Sequence, residues 1–140
     1  MTAHVLIVDD AEPCATTLEI AFLEMADVRL SVVSNGREAL RVLRAGGVSA
    51  LVTDLNLPGI SGFELIEQAR RLAGPSRLPV IVVSGEADPT TPERLLRLGV
   101  DAYFPKPYSA AEVRLRLEQL LHVENPRHPA SPRPAAGPEP

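Results

Sequence analysis

The chain has 140 residues, 45% of them apolar, one cysteine and a formal net charge of −4. That length fits one domain with a packed core, and the lone Cys14 excludes an internal disulfide and suits a reducing compartment. The acidic balance disfavours sequence-independent nucleic-acid binding, which needs a basic surface to displace phosphate counterions. Met1-Thr2-Ala3-His4 leads straight into a short apolar run, unlike a signal peptide, and no apolar stretch approaches the ~20 residues that cross a bilayer. The expectation is a soluble, cytoplasmic protein with neither nucleic acid nor membrane among its partners.

Val5-Leu6-Ile7-Val8 is the first apolar run and stops at Asp9-Asp10. A run without polar alternation reads as a strand covered on both faces. Pro13 suits the first turn of a helix. Cys14, Leu18, Ala21, Phe22 and Met25 then repeat at helical spacing, which predicts an amphipathic helix over about 13–25. Val28 to Val33 is a second strand. Ser34-Asn35-Gly36 turns the chain into a second helix through Ala39, Leu40 and Leu43, ended by Gly46-Gly47. The third strand, Ala50-Leu51-Val52-Thr53, ends on Asp54, and Leu55-Asn56-Leu57-Pro58-Gly59 carries a turn signal. Ser61 and Glu64 form a capping-box pattern for a helix with Leu65, Ile66, Ala69 and Leu72 on one face.

Pro79 to Val83 is a fourth strand that ends at Ser84-Gly85-Glu86. Thr91-Pro92 predicts the cap and first position of a short helix through Leu95, Leu96 and Leu98, stopped by Gly99. Asp101 to Phe104 is a short fifth strand, and Ser109 with Glu112 opens a last helix through Val113, Leu117, Leu120 and Leu121. From Asn125 onward the pattern stops. Six of the last 16 residues are proline, so residues 125–140 are expected to be a disordered Pro-rich tail after a domain of residues 1–124. The alternation predicts an α/β fold, a doubly wound parallel sheet of five strands with five helices on its two faces.

In a parallel sheet the strand ends converge at one edge, which here brings Asp9-Asp10, Asp54, Ser84 and Lys106 together. Carboxylates brought together repel one another unless a cation neutralises them. Oxygen ligands with no His or Cys among them select a hard cation, and Mg²⁺ is the expected one. Such a metal screens an incoming phosphoryl group so that a carboxylate can act as nucleophile on phosphorus. Lys106 is the only lysine among 14 basic residues, and its compact ammonium suits phosphoryl oxygens. The Ser84 hydroxyl can donate a hydrogen bond to the same oxygens. Other features read more plainly: Cys14 as a small core residue, and Arg37, Arg41 and Arg44 as solvated surface. His4, His122 and His128 have no ligand spacing.

Asp9-Asp10, the block from Asp54 through Leu-Asn-Leu-Pro-Gly-Ile-Ser to Gly62, Ser84, Tyr103 and Lys106-Pro107 together resemble a bacterial two-component response-regulator receiver domain over about residues 4–122. The Asn35-Gly36 turn, running on to Leu40, is similar to that family as well. The resemblance implies the flavodoxin-like strand order 2-1-3-4-5. It also implies Asp54 as phosphoacceptor, with Asp9, Asp10, Asp54 and the backbone carbonyl of Asn56 holding Mg²⁺, and Ser84 and Lys106 binding the phosphoryl group. Ser84, Tyr103 and a cis Lys106-Pro107 bond would form the switch, and Asn56 and Glu86 would set a short phosphate lifetime, as in chemotaxis regulators. Such a protein is no enzyme acting on external substrates; it catalyses its own phosphotransfer and autodephosphorylation. Two features depart from the family: Pro105 before Lys106, which removes a strand donor that an edge strand can spare, and the Asp88-Pro89-Thr90-Thr91-Pro92 stretch, which shortens and delays the fourth helix.

The implied function is a stand-alone switch fed by a histidine kinase or histidine phosphotransfer protein. With no DNA-binding motif after residue 124, its output would be contact with a downstream protein target. The alternatives are a phosphorelay intermediate, or the receiver part of a longer hybrid kinase with the Pro-rich segment as linker. An Mg²⁺-dependent aspartyl phosphohydrolase fits less well. Such enzymes place a second Asp two residues after a nucleophile on the first strand, where this chain has Ala11. Nucleotide-binding folds are disfavoured because neither G-x-G-x-x-G nor G-x-x-x-x-G-K-[ST] occurs.

Overall fold

Ten elements alternate along the chain in the computed structural model, which describes residues 2–74, 77–85 and 88–124, with side chains as far as His122. They are β1 (Ala3–Val8), α1 (Glu12–Phe22), β2 (Val28–Val33), α2 (Gly36–Ala45), β3 (Ala50–Thr53), α3 (Gly62–Ala73), β4 (Val80–Ser84), α4 (Thr91–Arg97), β5 (Ala102–Pro105) and α5 (Ala110–Glu124). The strands form one parallel sheet in the order β2-β1-β3-β4-β5. Both the fold class and the strand order agree with the sequence-based expectation.

Strand residues alternate between two cores. Leu6, Val8, Leu51, Val80 and Val82 face α2, α3 and Leu95 of α4. Val5, Ile7, Val52, Ile81 and Val83 face Leu18 and Phe22 of α1 and Val113 and Leu117 of α5. The central strands β3 and β4 are buried along their whole length, which is why their sequences carry no polar alternation. Each fully buried Leu, Ile or Phe contributes about 1.5–3 kcal/mol relative to exposure, and aliphatic side chains carry most of this core. Among the described residues, no helix is long and apolar enough to cross a membrane.

Three boundaries differ from the sequence-based reading. The first helix ends at Phe22 instead of Met25: the N–H groups of Glu24 and Met25 bond three residues back, so the chain tightens into turns that still bury Met25. The fourth helix is capped at Thr90, with Thr91 already helical and Pro92 following. Thr91 is 1% exposed, its side chain turned into the core and not used as a cap; Asp88 Oδ1 organises the turn instead, accepting from Thr90 N and Oγ1, each at 2.8 Å. The fifth strand extends to Pro105, whose missing N–H costs no ladder bond because β5 is an edge strand. Ser61 and Ser109 act as the expected N-caps, accepting from the N–H groups of Glu64 and Glu112, and Asn35, expected only as a turn residue, caps α2 by accepting from Glu38 N–H. The expected Pro-rich tail, residues 125–140 with His128, lies outside the described residues, as does Glu86.

Candidate functional site

The register of the sheet assembles the charged groups. Val8 pairs with Thr53, so the next residues, Asp9 and Asp54, leave adjacent strands at the same level. Asp54 N–H donates to Val8 O at 2.9 Å and Asp9 N–H to Val33 O at 3.1 Å, which fixes both backbones to the sheet edge. Ser84 and Pro105 pair at the ends of β4 and β5, and Lys106 N–H donates to Ser84 O at 2.8 Å. The Lys106-Pro107 bond is cis.

The carboxylate of Asp54, 4% exposed, is held on both sides. Its Oδ1 accepts from the N–H groups of Leu55 at 2.6 Å and Asn56 at 3.2 Å, and its Oδ2 accepts from Lys106 Nζ at 2.9 Å. The same ammonium lies 3.5 Å from Asp9 Oδ2, while Asp9 Oδ1 accepts from Ala11 N–H at 2.9 Å. One oxygen from each of Asp9, Asp10 and Asp54 falls within a 4.8 Å span, with Asp10 exposed and the other two buried. Burial raises the Asp9 carboxyl above the usual carboxylate range; the Ala11 N–H and Lys106 oppose that shift, and neighbouring Asp54 adds to it. Burial works against the Lys106 charge, but its hydrogen bond and attraction to Asp54, with Asp9 behind, win and hold the ammonium above its usual value. The site is thus an acidic cluster that one lysine only partly neutralises.

Ser84 is fully buried at the end of β4, beside this edge. Tyr103 lies elsewhere. Its half-buried ring, paired in register with Val82, packs on the face that carries α2, α3 and α4. Asn56 is exposed at the mouth, its backbone bonded to Asp54.

Sequence reasoning gave no role of its own to two residues here, Gly62, which it named only as the end of the block from Asp54, and Tyr108. Gly62 opens α3 directly against the Asp54 backbone: a Cβ at this position would lie 2.3 Å from Asp54 O and 2.6 Å from Leu55 Cα. The available signal was a glycine in the first turn of a helix, where it weakens helical propensity and calls for a packing reason. The second is Tyr108, which follows Pro107 and whose buried hydroxyl has no partner among the described residues.

The family model for the response regulator receiver domain matches residues 5–118. The chain belongs to this family. It is 28% identical over 121 residues to chemotaxis protein CheY of Pseudomonas aeruginosa, a match covering 86% of this chain and 98% of that protein. It is 32% identical over 120 residues to the uncharacterised transcriptional regulatory protein YkoG of Bacillus subtilis, covering 84% of this chain and 50% of that one. The chain thus spans about half the length of that transcriptional relative. Its backbone superposes on a CheY-like receiver domain of Methanospirillum hungatei with a TM-score of 0.81 at 22% identity, covering 90% and 98% of the two chains. Receiver domains bind Mg²⁺ at an acidic pocket, and the residues here fit that ion: three clustered carboxylates, all hard oxygen donors, two of them buried.

Proposed function

We propose that Asp54 is a phosphoacceptor, that Asp9, Asp10, Asp54 and the carbonyl of Asn56 hold Mg²⁺, and that Ser84 and Lys106 bind the transferred phosphoryl group. The observation that carries this reading is the Asp54 carboxylate, buried at a strand end with two backbone N–H groups on one oxygen and the only lysine on the other. Those donors orient the group, and the lysine charge can follow the phosphoryl oxygens once they arrive.

In the transfer, a carboxylate oxygen of Asp54 bonds to the phosphorus of a phosphohistidine. The P–N bond breaks, its electron pair leaves with the imidazole, and that nitrogen takes up a proton. Water later attacks the same phosphorus, releasing inorganic phosphate and restoring the carboxylate. Mg²⁺, when bound, supplies the positive charge that screens carboxylates and phosphoryl oxygens from one another. The Ser84 hydroxyl would donate to a phosphoryl oxygen, and Asn56, exposed at the mouth, would together with Glu86 tune how long the acyl phosphate survives.

The phosphoryl donor is a histidine kinase or histidine phosphotransfer protein. The output is altered affinity of the α4–β5–α5 face for a downstream protein, with Tyr103 on β5 following the movement of Ser84. The domain is residues 1–124 and the Pro-rich stretch 125–140 is appended to it, a division supported by the family match to residue 118 and the end of α5 at Glu124. The test is intact-protein mass spectrometry after incubation with Mg²⁺ and a small-molecule phosphodonor. One added phosphoryl group, absent in Asp54→Asn, is expected. No adduct on the wild-type chain, even when a beryllofluoride mimic is used to probe the same pocket, would sink the proposal.

A further inference from the structure

Thr53 is the one polar residue of β3, a strand that otherwise reads Ala50-Leu51-Val52. It is fully buried, and its partners across the sheet are both valines, Val8 on β1 and Val82 on β4. A valine would match both the strand and the branched shape, and a buried hydroxyl costs free energy unless it is hydrogen-bonded. Thr53 Oγ1 offsets that cost by donating to the backbone oxygen of the next residue, Asp54, at 2.8 Å.

That oxygen is one half of a peptide group whose other half holds the carboxylate. Asp54 C=O and Leu55 N–H belong to one planar trans unit, so they point in opposite directions and turn together. Leu55 N–H donates to Asp54 Oδ1 at 2.6 Å, shorter than the bonds to the same carboxylate from Lys106 at 2.9 Å and from Asn56 N–H at 3.2 Å. Gly62 closes in on the Asp54 oxygen as well: a Cβ there would lie 2.3 Å from it, and Gly62 N–H is tied to Leu55 O at 2.9 Å. The peptide group cannot tilt far without breaking the Thr53 bond or striking the start of α3.

We infer that Thr53 is a positioning residue for Asp54: its hydroxyl fixes the Asp54–Leu55 peptide group and, through Leu55 N–H, the rotation of the carboxylate. The inference rests on the reading of Asp54 as the phosphoacceptor. Thr53 acts through the backbone and not on the phosphoryl group. With Oδ1 held from below, Oδ2 faces Lys106, and the nucleophile needs no reorientation when the phosphoryl donor arrives.

Two variants of the full chain test this. Thr53→Val keeps the branched shape and removes the hydroxyl, whereas Thr53→Ser keeps the hydroxyl and removes the methyl. The first readout is the Leu55 amide proton by NMR, which a short bond to a carboxylate shifts downfield. The second is the rate of phosphoryl uptake from acetyl phosphate at saturating Mg²⁺, followed by intact-protein mass. In Thr53→Val the amide proton should move upfield and the rate fall about three- to tenfold, the range that one neutral hydrogen bond spans as a rate. Thr53→Ser should recover both. Thr53→Ala carries the same expectations as the valine variant if that one fails to fold. A hydroxyl-free variant that melts lower but keeps the wild-type amide shift and rate overturns the inference, since Thr53 would then only pack. A serine variant that behaves like the valine overturns it too. If the wild-type chain takes up no phosphoryl group, the phosphoacceptor reading fails, while the Leu55 amide still supports or overturns the positioning of the carboxylate.

Discussion

Gly62→Ala reverses sign between sequence and structure. In a helix, alanine is favoured over glycine by up to about 1 kcal/mol, so propensity alone predicts that the substitution stabilises α3. The packing says otherwise. The new methyl would lie 2.3 Å from Asp54 O, 2.6 Å from Leu55 Cα and 3.1 Å from Asp54 C, whereas carbon contacts settle at about 3.5–4.0 Å. All three obstacles are backbone, so relief requires moving the start of α3 or the end of β3 by about 1 Å, against the Gly62 N–H to Leu55 O bond of 2.9 Å. Overpacking of this kind costs about 1–3 kcal/mol or more and outweighs the propensity gain. For a domain of this length that is a fall in melting temperature of roughly 5–15 °C. Because the displaced atoms carry the N–H groups that hold Asp54 Oδ1, Mg²⁺ affinity should fall as well. Gly59→Ala is the control. Its methyl meets nothing within 4 Å, and only the φ of +85° is strained, at a cost of about 1 kcal/mol and with no effect on the cation. Thermal denaturation and Mg²⁺ calorimetry on the two variants decide it. The reasoning is refuted if Gly62→Ala melts at or above wild type, or if Gly59→Ala costs more.

Lys106→Met removes the cation that sits 2.9 Å from Asp54 and 3.5 Å from Asp9. The lysine side chain is 22% exposed, so solvent screens part of the effect, and the metal-free protein should lose about 1–2 kcal/mol. Excess Mg²⁺ should restore part of the loss in a thermal melt; a variant more stable than wild type and indifferent to Mg²⁺ would contradict the repulsion argument. At the opposite end of the sheet, His4 Nδ1 accepts from Arg29 at 3.2 Å, which leaves Nε2 to donate to Ser31 Oγ at 2.7 Å. Burial, then the Arg29 charge, lowers the His4 pKa, so the folded state favours the neutral ring. In the window just below the ordinary value of about 6.5 the unfolded chain binds more protons than the folded one, and stability falls as pH falls through it. His4→Gln should flatten the dependence of melting temperature on pH between about 7 and 5; an unchanged slope would show that His4 is not its source.

The inner strands β1, β3 and β4 and their ends were legible because parallel strands covered on both faces are written as unbroken apolar runs, and these three stop at Asp9, Asp54 and Ser84. Asp9, Asp54 and Ser84 could be named on that basis alone, and the caps at Ser61 and Ser109 from the glutamate three residues on, a pattern that acts within a few residues of sequence. The cap at Thr91 failed for a tertiary reason: that side chain is buried in the core, and Asp88 takes over the turn. Tyr103 is visible as an edge-strand aromatic, but only the register shows that it packs on the face away from α1 and α5.

By itself the sequence determined the class of fold and the chemical character of one edge of the sheet, because backbone pairing and hydrophobic patterning are local and periodic. The contact between Lys106 and Asp54 spans 52 residues and depends on the order of β1, β3, β4 and β5, which no local pattern specifies. The close approach of Gly62 to Asp54 and the orphaned hydroxyl of Tyr108 depend on packing at the scale of a single methyl or oxygen. Only the tertiary structure decides at that scale, since interiors are close-packed and an atom displaced by 1 Å, about the overlap worked out for Gly62, changes the sign of an energy.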